Sequence, residues 1–156
     1  MMVRDHREEP PMTGNRAQQI SADRRAQREA VVREHLDAEN RRDIDAVLAT
    51  FSHPRYELVA NGRVYDGEDE VREYFRSSRA TTPDQRNDRA VLHHTDDGVI
   101  VEFELLGTTE GPHGPTPWRC RMVALFLFDD TDRIVCERVY WDANTIRMQI
   151  EAGAPA

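Results

Sequence analysis

Four side chains in this sequence have both the chemistry and the setting to move protons. The segment Ile134-Val135-Cys136-Glu137-Arg138-Val139-Tyr140-Trp141-Asp142 alternates with the period of a strand and puts Glu137 on one face with Val135, Val139 and Trp141. A carboxyl buried in such company is held protonated toward neutral pH and can act as acid or base. The same residue can also sit at an open rim of the sheet or pair with an arginine from a helix. His93 and His94 are adjacent, so one faces each side of their strand. If Asp97-Gly98 forms a two-residue turn, His94 opposes Val101 on the apolar side and His93 opposes Glu102 outside. An inward His94 is either a proton shuttle or a hydrogen-bonded core histidine. Tyr56 faces inward with Leu58 and Ala60, where its hydroxyl can hold an oxyanion or simply pack. Asp142 stands directly before Ala143-Asn144-Thr145-Ile146, the natural place for a helix N-cap. Glu102 and Glu104, about 7 Å apart on one face, resemble a catalytic carboxylate pair. They share that face with Arg119, Arg121 and Arg138, which favours cross-strand ion pairs.

The elements that must position these groups follow from periodicity and turn residues. Residues 1–20 are charged, contain Pro10-Pro11 and have no period, and are expected to be a disordered tail. One domain is expected over 21–152, with a short tail at 153–156. Ser21 to Asn40 has helical spacing through Ala30, Val31 and Leu36, and a second short helix spans Asp43 to Phe51. Tyr56 to Ala60 reads as a strand turning at Asn61-Gly62 into Arg63-Val64-Tyr65. Gly67 to Arg79 is a third helix, and Asp88 to Thr95 is the strand before three long ones and a closing helix. The fold class is α+β: a bent, cone-shaped antiparallel sheet, three N-terminal-side helices on its concave face and a short C-terminal helix.

Alternation also separates the faces of the long strands. Val99, Val101, Phe103, Trp118, Cys120, Met122, Ala124, Phe126, Val139 and Trp141 fall on one apolar face. Of these, Phe103, Trp118, Met122, Phe126, Val139 and Trp141 are the expected wall of a pocket for a flat apolar ligand. The opposite face mixes acids, arginines and aliphatics, which suits a homodimer interface as well as solvent. His113, in the Gly111–Pro117 loop, is a lid candidate.

The 156 residues carry a net charge of -8, a sign that disfavours nucleic acid as a partner. No apolar run is long enough to cross a membrane, and the charged N-terminus is not a secretory signal. With the turn centred near Asp130–Thr131, Cys120 faces residues near 141 and Cys136 faces residues near 125, too far out of register for a disulfide. Two unpaired thiols fit a reducing cytoplasm. No Cys/His cluster has metal-ligand spacing, and no phosphate loop or nucleophile elbow is present, so neither a metal nor a cofactor is expected.

In its order of elements the chain resembles the nuclear transport factor two-like cone fold, and within it the SnoaL-like polyketide cyclase group. The residues that carry the resemblance are Val101-Glu102 leading to Gly107-Thr108, Gly111, Phe126, the segment Ile134 to Asp142, and Gln149. The resemblance implies an acid/base cyclase or isomerase, independent of cofactors, acting on a polyketide-like or polycyclic carbonyl compound. His94 and Glu137 would move protons and Tyr56 would hold the oxyanion. Asp142 stays a candidate because the family retains an acid there. Two departures imply instead a non-catalytic binder of an apolar small molecule. Thr109 stands where related sequences have His, and Val139 where the epoxide hydrolases of this fold have a catalytic Asp. A third reading is a scaffold that dimerises and takes no ligand. An enzyme needs two titratable groups converging inside the cone.

Overall fold

The computed structural model describes residues 20–153. Helix α1 (Ala22–Arg41) starts at Ser21, whose hydroxyl accepts the Arg24 N–H at 3.2 Å. Helix α2 (Ile44–Ala49) starts at Asp43, whose carboxylate accepts the Ala46 N–H at 3.0 Å. The hairpin β1 (Arg55–Leu58) and β2 (Arg63–Asp66) leads to helix α3 (Glu68–Thr81). Acidic Glu68, Asp69 and Glu70 in the first turn of α3 complement its dipole. Then come β3 (Arg86–His94), β4 (Gly98–Gly111), β5 (Gly114–Phe128), β6 (Ile134–Trp141) and α4 (Ala143–Ala152). The expected tail 1–20 lies outside the described residues except for its last position. No helix among those described is long and apolar enough to cross a membrane.

The six strands form one curved, unclosed sheet in the order β2-β1-β6-β5-β4-β3. All neighbours are antiparallel except β1 and β6, which run parallel with Tyr56 beside Glu137 and Leu58 beside Val139. Helices α1 to α3 lie on the concave side and close the core around Val32, Val47, Phe51, Val71, Val101 and Phe126. A bulge between Asp88 and Val91 bends the edge strand β3.

Several registers differ from the sequence reading. The β1–β2 loop spans four residues, 59 to 62, because Leu58 pairs with Arg63. The β3–β4 turn centres on Asp96-Asp97, one residue earlier than expected, with the Thr95 N–H donating to the Gly98 carbonyl across it at 3.0 Å. His94 therefore opposes Val99 and His93 opposes Ile100, each two positions from the expected partner. The shift is even, so His94 keeps its face. Cys136 opposes Leu127 and Met122 opposes Trp141, again two positions from expectation, and both cysteines are free and buried. A bulge after Leu127 pairs Phe128 with Ile134, which turns Ile134 fully inward from the face that strict alternation gives it.

Two clamps fix how α1 lies across the sheet. At its start, Arg24 and Arg28 converge on Asp132 in the β5–β6 turn, both at 2.8 Å. Arg28 and Asp132 are buried and answer each other's charge. At its end, the Asn40 amide bonds the backbone of Asn87 twice, donating to its carbonyl (3.0 Å) and accepting its N–H (2.7 Å). Asn40 thus acts as one more backbone partner for the edge strand and holds the last turn of α1 against β3.

Candidate functional site: a buried proton-sharing network

Between the clamps, α1 turns His35 and Glu39 into the cone. They are one helical turn apart, on the stripe that also buries Val32 and Leu36. From the sheet, β6 offers Glu137, flanked by Tyr56 on β1 and Phe126 on β5. The four polar groups meet. His35 Nε2 lies 3.1 Å from a Glu137 carboxylate oxygen and 3.0 Å from the Tyr56 hydroxyl. That hydroxyl donates to Glu39 at 3.1 Å, and the other Glu39 oxygen accepts from the Asn87 amide at 2.7 Å. The rings of Phe51 and Phe126 stand edge-on to His35, both with centroids at 5.3 Å.

The protons can be placed by elimination. Thr50 Oγ1 donates to the Val47 carbonyl at 2.6 Å, so its only hydrogen is committed. His35 Nδ1, 2.8 Å from the same oxygen, must then be the donor. Nδ1 keeps its hydrogen, and Nε2 alone is left to exchange one with Glu137 and Tyr56.

Burial and charge shift every member. For His35, burial works against the charged form, but hydrogen bonds and charges from Glu137 and Glu39 overcome it and raise the pKa to about 9. Burial pushes Glu39 upward, but His35, Arg79 and Asn87 prevail and hold it at about 2. Glu137 is raised, because burial and the Glu39 charge outweigh its bonds to His35 and Tyr56. Burial, with the two carboxylates, also drives the Tyr56 hydroxyl well above its ordinary value. The arrangement therefore pairs an ionised Glu39 and a protonated His35 with a carboxyl, Glu137, whose hold on a proton is raised above the ordinary carboxylate range. Among the described residues, His35, Glu39 and Glu137 also form the one set of such ligand atoms close enough to gather a cation, all within 4.8 Å of one another. Hydrogen bonds join them as they stand.

The network is sealed inside but ends near the surface. Glu39 is its slightly exposed member, and beyond Asn87 lies a cleft of about 330 Å³ between α1 and β3, lined by Leu36, Asn40 and Asn87. A larger groove, about 580 Å³, crosses the outer sheet face over Val91, Glu102, Glu104, Arg121, Val123 and Tyr140.

Of the residues singled out in the sequence, Glu137 and Tyr56 stand in the network. His94 is half-buried and meets Glu29 on α1 at 3.2 Å; the histidine at Glu137 is His35 instead. Asp142 caps α4, accepting the Asn144 N–H at 2.9 Å and the Thr145 hydroxyl at 3.0 Å. Phe126 and Val139 are buried beside the network, and Phe103 and Met122 are buried farther along the core. The Trp118 indole donates to Thr109 at 2.8 Å, and Thr109 meets the Thr82 hydroxyl at 3.0 Å. Trp141 is half-buried and borders a groove beside Ile146 and Ile150 on α4. Glu104 pairs in register with Arg121, and His93 lies 3.7 Å from Glu102 outside. Missing from the sequence reading were His35, Glu39, Thr50 and Asn87. The available signal was two titratable residues on the Val32–Leu36 stripe of α1, where apolar ones belong.

The layout of helices and curved sheet defines a cone of the ketosteroid isomerase and nuclear transport factor two-like class. The SnoaL-like domain matches residues 32–137, more than half of the 156-residue chain, and the chain belongs to that family. A protein of Xanthomonas campestris pv. campestris, named provisionally as a polyketide cyclase, is 17% identical with a TM-score of 0.74, covering 82% of this chain and 99% of its own. A protein of Jannaschia sp. CCS1, named provisionally as a SnoaL-like polyketide cyclase, is 18% identical with a TM-score of 0.73, covering 88% and 99%. TerC, co-crystallised with polyporic acid, is 15% identical with a TM-score of 0.69, covering 80% and 98%. At these identities the likeness is one of fold. No curated protein matches the chain.

Proposed function

We propose that this protein is an acid/base cyclase or isomerase for an apolar carbonyl compound, working without a cofactor. The observation that carries the reading is the convergence of His35, Glu39, Glu137 and Tyr56 in one apolar interior. Core packing alone does not call for four polar groups there, and each costs free energy to desolvate. Glu137 is the base: a carboxylate lifted from its ordinary range takes a proton from carbon next to a carbonyl more readily than an exposed one. His35 is the donor to the forming enolate oxygen, since Thr50 leaves its Nε2 as the reactive nitrogen. Tyr56 gives its single hydrogen to Glu39, so its oxygen accepts from His35 Nε2 at 3.0 Å and orients that donor. The co-crystallised polyporic acid of one neighbour supports a small organic ligand for this fold.

The second reading is a non-catalytic binder. It is favoured by Val139, an aliphatic residue packed beside Leu58, and by Thr109, whose hydroxyl is occupied by Trp118 and Thr82.

The test uses 2-tetralone in deuterated buffer, following loss of its α-proton signals by NMR. The expected result is accelerated exchange with wild type, and at least about 100-fold less with Glu137→Gln. Binding without acceleration would establish the binder. Acceleration that survives Glu137→Gln would remove this residue from the mechanism.

A further inference from the structure

One cation near the network lacks an anionic partner. On α3, Val71, Phe75 and Arg79 follow each other at four-residue spacing and share the helix face turned to the core. Val71 and Phe75 are buried, and the Arg79 guanidinium lies over the Phe75 ring at 3.7 Å. Its Nη1 donates to the neighbouring Ser78 hydroxyl at 2.9 Å, while its Nε is buried and bonds nothing. Among the described residues no carboxylate lies within 4.0 Å of it. Arg28, also buried, pairs with Asp132 and donates to the Asp96 carbonyl, and Arg25 on α1 likewise has a buried Nε without an acceptor.

We propose that Arg79 is the anion receptor of this site, and that the substrate carries a carboxylate or an equally acidic enol away from its reacting carbonyl. A buried guanidinium N–H without an acceptor is costly, and such a donor persists where an acceptor arrives with a ligand. The guanidinium is planar; Nη1 is held by Ser78 and Nε is buried without an acceptor, so a carboxylate that reached it would satisfy that N–H. The site feels this charge: burial raises Tyr56 and Tyr74 and Arg79 works against it, while for Glu39 Arg79 acts with His35 to hold the pKa down. Tyr74 joins Arg79's helix to the network, its ring 5.5 Å from that of Tyr56. The plainer role for Arg79 is a fixed counter-charge to Glu39, helped by its place in the last turn of α3. That role predicts no preference for anionic ligands, and the protein's net charge of -8 opposes one.

This inference rests on the acid/base reading, so its test separates the two. Affinities for 2-naphthoate and 2-naphthamide, matched in shape and differing in charge, are measured by calorimetry on wild type, Arg79→Gln and Arg79→Lys. Melting curves check that each variant is folded. Wild type is expected to prefer the naphthoate by about tenfold or more. Arg79→Gln should bring the ratio to about one, and Arg79→Lys should retain part of it, because charge remains but the fork is lost. A wild type that binds both equally, or a preference that survives Arg79→Gln, overturns the assignment. If 2-tetralone exchange is still accelerated, only the role of Arg79 falls. If neither naphthalene binds, the assignment falls, and absent 2-tetralone exchange would take the acid/base reading with it.

Discussion

Raising the pH from 6.5 to 9 should cost this protein about 3 kcal/mol of stability through His35. His35 titrates at 6.5 in the unfolded chain and at about 9 in the fold, where it is completely buried. Its folded form therefore holds a proton more tightly. The stabilisation is complete below 6.5 and is lost as pH rises through 9. About 2.5 units at 1.36 kcal/mol each give about 3.4 kcal/mol over the whole transition, of which about 2.6 kcal/mol falls between pH 6.5 and 9. The carboxylates act elsewhere. Glu39, held at about 2, contributes stability above 4.5 that is lost as pH falls through 2. Glu137 is raised, so its effect starts at 4.5 and runs the same way as that of His35. Cys136, pushed by burial to about 11, acts chiefly above pH 9, so the window stops there. Urea unfolding followed by the fluorescence of Trp118 and Trp141 measures the effect, with His35→Gln as control. Glutamine can still reach Thr50 or Glu137 but does not titrate. A wild type whose stability is flat to within about 1 kcal/mol across the window would refute the network. So would an equal loss in His35→Gln.

Thr50→Val keeps the shape and removes the acceptor of His35 Nδ1–H. It should cost about 1–3 kcal/mol in urea unfolding, and ¹⁵N spectra recorded above pH 9, where the His35 ring is neutral, should report a mixed tautomer in place of a fixed Nδ1–H. Asp142→Ala removes the cap of α4 and should cost about 1 kcal/mol while leaving 2-tetralone exchange unchanged. A large loss of exchange on that substitution would return Asp142 to the mechanism.

The residues of β6 explain why part of this site was readable. Glu137 was found because strand alternation is local: a carboxylate between Val135 and Val139 declares its face within three residues. Asp142 was readable as a cap for the same reason. The helices and the long strands followed from periods and turn residues of comparable range, and the family from a resemblance in element order and in motif residues such as Ile134 to Asp142. The face of Ile134 was misjudged because a bulge adds a residue that alternation does not see. The partner of Glu137 was out of reach in kind. His35 lies 102 residues away, and only the crossing of α1 over β6, fixed by the Asp132 and Asn87 clamps, brings the two to 3.1 Å. Tyr56 reaches them because β1 joins β6 in parallel, a pairing with no local turn to announce it. The elements and most of their buried faces were legible along the chain because each rests on short-range geometry, and the family because its motif residues resemble those of known members. The tertiary structure alone decided which histidine meets the carboxylate, since long-range packing sets proximity and proximity sets the charge each group can carry.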